Sequence, residues 1–307
     1  MNHSKSQKIL KSVCYGVACF CLLAYSAIGV RAQLKASQAR KLITRMAGVE
    51  LTSGSVRVKS VSPGSATTAE ANAEIRTVWK LAQDTKGVWR VAELRTAPAR
   101  WEEVSLIGKA LNASSTTSDC NVSDPPFRGR ALIDPSVRRV RCLLGSLLGI
   151  EVPSDAIRIQ QVTPSAMPLA SQASALVVAW VRVDARFVNN SGTGWRVADL
   201  RTGTRNWLNL DNLVAALNHH KQQKAQAELQ TIAMALEKFR ADRGFYVVAD
   251  DQAVAIDHLS PRYLATIIRI DPWNRPYKYQ GERERFTLRS AGPDGKDNTA
   301  DDLVVSN

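Results

Sequence analysis

Hydrophobic and polar positions follow three kinds of pattern along this chain. Residues 13–30 form an apolar run of 18 positions without a charge or a proline. Further on, residues 56–61, 75–81 and 89–95 alternate apolar with polar side chains, and the pattern returns within 137–217, most clearly at 175–183. A period of two predicts strands that bury one face. Residues 39–47 and 102–111 instead have the three-and-four spacing of helices. From Leu210 there is no glycine or proline before Gly244, and Leu213, Leu217, Ala225, Leu229, Ile232, Leu236 and Phe239 keep helical spacing. This predicts one long helix, or two nearly collinear ones, stopped by Gly244. A last strand is expected at 283–289, with Phe286 and Leu288 on one face.

The strand-rich part repeats itself, which precedes any judgement about fold. Gly48-Val49-Glu50-Leu51 recurs as Gly149-Ile150-Glu151-Val152, Val56-Arg57-Val58 as Ile157-Arg158-Ile159, and Trp79 as Trp180, all at an offset of 101. Trp89-Arg90-Val91-Ala92 then recurs as Trp195-Arg196-Val197-Ala198 and Trp101 as Trp207, at an offset of 106. The five extra residues are expected around Asn189, Asn190, Ser191 and Gly192, where turn chemistry suits a longer hairpin loop. Each copy reads as a helix, three strands and a helix, so the fold class is α+β with two tandem modules at 33–111 and 137–217. A linker rich in Ser, Thr, Asp and Pro fills 112–136, and a C-terminal domain occupies 218–307. The repeated tryptophans are expected in the core, with the alternating arginines in water; a cation–π binding surface is the other reading.

Composition, at 45% hydrophobic and 22% charged, excludes wholesale disorder and a polytopic membrane protein. The net charge is +13. Lys5, Lys8, Lys11 and Arg31 lie in residues 1–32 without an acid, and residues 221–307 balance 13 basic against 13 acidic residues. The excess therefore sits in the modules, scattered through strands instead of forming a block, which disfavours nucleic acid. Lysines before the apolar run make residues 1–32 an export signal or an uncleaved inner-membrane anchor through 13–30, and both place the rest in the periplasm. Of the five cysteines, Cys14, Cys19 and Cys21 belong to that leader. Cys120 and Cys142 remain as a disulfide candidate in an oxidising compartment, with two free buried thiols as the alternative. No Gly-x-Ser-x-Gly, His-Glu-x-x-His or glycine-rich phosphate loop occurs, so no enzyme or small-molecule substrate is indicated.

The C-terminal part carries ordered motifs. After the long helix come Gly244-Phe245-Tyr246, Asp271-Pro272-Trp273-Asn274-Arg275-Pro276-Tyr277-Lys278-Tyr279 and Ser290-Ala291-Gly292-Pro293-Asp294-Gly295, then Asp301-Asp302-Leu303. Prolines fix the backbone, Trp273, Tyr277 and Tyr279 supply apolar area, and Asn274 suits a left-handed turn. Asp294, Asp297, Asp301 and Asp302, with the carbonyls of Ser290 or Ala291, offer the hard oxygens that Ca2+ prefers, although a solvated acidic turn has the same composition.

From about residue 221 the chain resembles the globular domain of the major, G-type pseudopilin of type II secretion systems. The resemblance implies a long helix packed on a small antiparallel sheet, with a structural Ca2+ held by Asp294, Asp301 and Asp302, and by Ser290 and Asp297 as further candidates. It also implies protein partners in the secretion apparatus or envelope. The chain departs from that family in lacking a prepilin peptidase motif, and two modules separate its apolar stretch from the pseudopilin-like helix. The expected function is a non-catalytic exported envelope protein associated with type II secretion. The alternative is a periplasmic ligand- or protein-binding module in which the repeats carry binding and the C-terminal domain is structural.

Overall fold

A computed structural model describes residues 33–84, 87–111, 120, 135–163, 173–190 and 192–307. The apolar stretch 13–30, its three cysteines and most of the linker lie outside them. Among the described residues no helix is long and apolar enough to cross a membrane.

The first helix, α1 (Ala36–Thr44), leads into β1 (Val56–Pro63), β2 (Thr68–Gln83), β3 (Trp89–Ala97), β4 (Arg100–Glu103) and α2 (Val104–Ala110). The second copy has α3 (Val137–Leu148), β5 (Ile157–Thr163), β6 (Ser174–Asn190), β7 (Gly194–Arg201) and β8 (Leu208–Asn209). The two copies are not separate units. Their long strands pair antiparallel from Thr68 opposite Val188 to Ala82 opposite Ser174, giving one eight-stranded sheet in the order β4-β3-β2-β6-β7-β8. Strands β1 and β5 add to the outer edges of β2 and β6. The reason is that β1 and β3 share one edge of β2, and β5 and β7 one edge of β6, so each central strand keeps a second edge of N–H and C=O groups that the other fills.

Odd-numbered residues of both central strands face one core. Ala69, Ala71, Ala73, Ile75, Trp79 and Leu81 from β2 meet Val177, Ala179, Val181, Ala185 and Phe187 from β6, and α1 and α3 cover them with Ala39, Ile43, Val140, Leu143 and Leu144. The small alanines let the helices approach the sheet closely. Among the described residues, the even-numbered face carries no α-helix of this core.

Register also corrects the internal alignment. Leu81 opposite Val91 is matched by Phe187 opposite Val197, and Gln83 opposite Trp89 by Asn189 opposite Trp195, so the second hairpin loop is no longer than the first. Ile75 pairs with Val56 and Ala179 with Ile157, which makes the offset 104 in the first half of the central strand. The extra residues therefore lie before β6 and within it, and Trp180 is the counterpart of Arg76, not of Trp79. Trp79 and Trp89 are buried, as expected of core aromatics. Trp180 and Trp207 are instead half-buried beneath arginines: Arg57 lies 3.9 Å from the Trp180 ring centre, and Arg186 and Arg201 lie 4.2 and 4.4 Å from that of Trp207.

The long helix α4 (Leu210–Arg243) is a single 34-residue element. The Asn209 side chain accepts the Asn212 N–H at its start, and Gly244, with φ +82°, closes it in the left-handed conformation. Leu210 belongs to the sheet core. Farther along, Leu229, Ile232, Ala235, Leu236 and Phe239 pack into a second core with α5 (Gln252–Leu259) and a three-stranded sheet, β9 (Lys278–Gly281), β10 (Phe286–Ser290) and β11 (Leu303–Ser306). One helix thus serves both cores.

Candidate functional site

The Asp-Pro-Trp segment is built around a buried carboxylate that the sequence did not single out. Asp271 Oδ1 accepts the N–H groups of Trp273 and Arg275, each at 2.9 Å, and Oδ2 accepts the Ser290 hydroxyl at 2.6 Å. These bonds close the turn in which Asn274 has φ +66°, the left-handed conformation expected of it. They also tie the turn to the final loop, as does Arg275 Nη1, which donates to Gly292 O at 2.7 Å. Gly292 has φ +58°, and a Cβ there would stand 2.2 Å from the Asp301 carbonyl oxygen, so glycine is required.

Within the closing loop three of the candidate carboxylates converge on one hydroxyl. Thr299 Oγ1 donates to Asp301 Oδ1 at 2.7 Å, while Asp294 Oδ1 and Asp302 Oδ1 each lie 3.3 Å away and Lys296 O lies 3.0 Å away. A hydroxyl has one proton and cannot satisfy four acceptors. Two of the remaining carboxylate oxygens are held by backbone: Asp301 Oδ2 accepts Asp294 N–H at 3.0 Å, and Asp302 Oδ2 accepts Asn298 N–H at 2.8 Å. The first of these bonds, then the Thr299 hydroxyl, hold the Asp301 carboxyl below its usual range. Asp297 points elsewhere, paired with Lys278 at 2.5 Å, which lowers its pKa in turn. The Ser290 hydroxyl is committed to Asp271. Among the described residues no three His, Cys, Asp or Glu side chains are spaced as a ready-made metal cage. Carboxylates, a carbonyl and a hydroxyl are the hard oxygens a divalent cation takes, and here the Thr299 hydroxyl stands at their centre.

A second constellation joins this region to the first module. Lys221 on α4 and Glu102 on β4 are buried, with Nζ 2.5 Å from Oε2, in an alignment that makes a charge contact but no hydrogen bond. Next to them Lys224 bridges Glu103 and Glu228. The Tyr277 hydroxyl donates to Glu228 Oε2 at 2.6 Å. Burial pushes up both the Glu228 carboxyl and the Tyr277 phenol, and for the phenol the adjacent Glu228 charge adds to it. Trp273 Nε1 donates to Asn218 Oδ1 at 3.1 Å, and Asn274 Nδ2 to Trp101 O at 2.9 Å. The turn residues therefore work as a latch onto β4 as well as a folding element. Of the remaining candidates, Cys120 and Cys142 are joined by a disulfide with their Cα atoms 6.0 Å apart.

The long helix, the Asp-Pro-Trp turn and the acidic closing loop form one continuous unit against a three-stranded sheet. Residues 212–307 match the family model of type II secretion system (T2SS) protein G. The match covers under a third of the chain, and it begins inside α4, two residues after the helix starts. No curated protein and no solved structure matches the chain. The protein G-like region thus takes in the second core, the latch and the closing loop, while the eight-stranded sheet lies outside the match.

Proposed function

We propose that the protein is a non-catalytic envelope component of type II secretion, exported to the periplasm, in which a two-module sheet carries a Ca2+-stabilised protein G-like domain. The observation that carries this reading is the family match over residues 212–307. In it Asp294, Asp301 and Asp302 hold the ion, with Lys296 O and Thr299 Oγ1 as further oxygens; Ca2+ neutralises carboxylates that otherwise repel one another and fixes the loop on the small sheet. No step of chemistry is assigned to the site.

The placement of the sheet distinguishes this protein from a subunit whose apolar stem runs straight into the globular domain. Here α4 emerges from a sheet module and is clamped by Glu102 and Glu103, so the domain is presented at a fixed position relative to the modules. Association with the secretion apparatus is tested with a photo-crosslinking amino acid at Met234 or Ile270, which are 59% and 58% exposed on the protein G-like region. In cells that make the apparatus, adducts with secretion components are expected from both positions. Adducts that are absent, or unchanged when the apparatus genes are deleted, contradict the association.

A further inference from the structure

We propose that the face of the eight-stranded sheet left open by the described residues is a docking surface for an acidic segment of a protein partner, held by Arg76, Arg158 and Arg182 beside Trp180. The inference goes beyond the secretion assignment and does not depend on it.

A cleft of about 920 Å³ opens on the even-numbered face, opposite α1 and α3. Arg57 already stacks on Trp180 within it. Register places Arg76 directly across from Trp180, Arg182 two residues further along β6 on the same face, and Arg158 opposite Val178, two residues before Trp180. Three guanidinium groups thus stand at successive levels of the sheet, one on each of β6, β2 and β5. None of the three has an ion pair or a side-chain hydrogen bond among the described residues. The central acids of this face are already taken: Glu74 pairs with Lys59 at 3.0 Å, and Asp184 accepts from Arg201 and Asn72, each at 2.9 Å. Sheet positions with free arginines beside neutralised acids leave the cleft with unmet donor capacity.

An arginine fork matches a carboxylate with two parallel N–H···O bonds. Alternate side chains of an extended chain are about 6.6 Å apart, the same as successive levels of a sheet face. Carboxylates at every second position of an extended segment are therefore spaced to match the levels at which the three arginines stand on β5, β2 and β6, while Trp180 and the stem of Arg57 supply apolar contact. Charge pattern selects the class of partner. Glu151 and Asp155, both exposed, line the same cleft. A phosphate chain with a charge at every step would be forced past them, whereas a polypeptide can put carboxylates at the arginines and neutral or basic residues at the acids.

The test measures anisotropy of a fluorescein-labelled peptide with glutamate at alternate positions, Glu-Ser-Glu-Ser-Glu, titrated with the full chain in a mild nonionic detergent. A labelled ten-residue thymidine oligonucleotide is titrated in parallel. Saturable binding of the peptide is expected, weakened tenfold or more by Arg76→Gln, Arg158→Gln and Arg182→Gln together. Arg158→Gln with Arg182→Gln alone, both at exposed positions, should give a smaller loss in the same direction, which guards against misfolding of the triple variant. A charge-matched control, Arg40→Gln, Arg45→Gln and Arg243→Gln, should leave binding within twofold. Equal affinity in the cleft and control variants overturns the proposal, as does no saturation at millimolar protein. Cleft-dependent binding that prefers the oligonucleotide also overturns it, in favour of nucleic acid.

Discussion

Lys221 carries the joint between the two cores. Its side chain is 4% exposed and faces a Glu102 side chain that is 7% exposed, so removing Glu102 strands a buried ammonium, and removing Lys221 leaves Glu102 only the longer contact to Arg100 at 3.6 Å. Lys221→Met is expected to cost about 3–5 kcal/mol in chemical denaturation. Adding Glu102→Leu should recover most of the loss, since paired replacement by apolar groups is often neutral. Glu228 gives the joint a pH signature. Its pKa is raised by burial, so its contribution is fully present below the unfolded value near 4.5 and lost as pH rises through the raised folded value. Asp297 and Asp301 act with the opposite sign: their lowered values contribute stability above the unfolded value and lose it in acid. Glu228→Gln keeps an acceptor for the Tyr277 hydroxyl. It should therefore flatten the decline of stability between about pH 4.5 and neutrality, measured by urea unfolding, without altering the acid limb; an unchanged pH profile would contradict the assignment.

At the level of elements, periodicity was a good guide to existence and a poor one to pairing. The long helix, its Gly244 stop and the core faces of β2 and β6 follow directly from spacing. Strand β4 runs into residues 102–111, which read as wholly helical, because Trp101 pairs with Arg95 and Glu102 with Leu94 before Val104 starts α2. Tryptophan identity misled the alignment: Trp79 and Trp180 look equivalent in sequence, yet the register puts one in the core and the other beside arginines on the open face. Two modules read separately also become one sheet, since a central pairing of long strands is invisible to local pattern. It follows that the modules should not fold alone. A fragment of residues 33–111 exposes the full β2 edge, and its circular dichroism melt is expected to show no cooperative transition; a sharp one would mean that the modules are independent. The Cys120 to Cys142 disulfide closes a separation of 22 residues, and Cys120 packs against the shared core. Cys120→Ser with Cys142→Ser should cost about 3 kcal/mol by the loop-closure estimate, read from the denaturation midpoint.

For the molecule as a whole, two cores share one helix, and the family match begins inside that helix, not at a domain boundary. The acidic residues of the closing loop were legible as a cluster, because carboxylates within a few residues of a glycine turn are plain in sequence. Their centre was not: Thr299 lies between them only once Gly292 and Asn298, both with positive φ, have folded the loop back. Asp271 was equally hidden, since its role depends on Ser290 arriving from a different strand. The most direct measurement is the thermal unfolding midpoint of the full chain in Ca2+ and in chelator, with Asp294→Ala and Asp301→Ala beside it. An ion bound only by the folded state at a hundredfold excess over its dissociation constant adds about 2.7 kcal/mol, a rise of roughly 5 °C. A concentration-dependent rise of that size in the parent, absent in both variants, is the expected result. An identical midpoint with and without Ca2+ would contradict the reading and leave the loop an acidic turn closed by Thr299 alone.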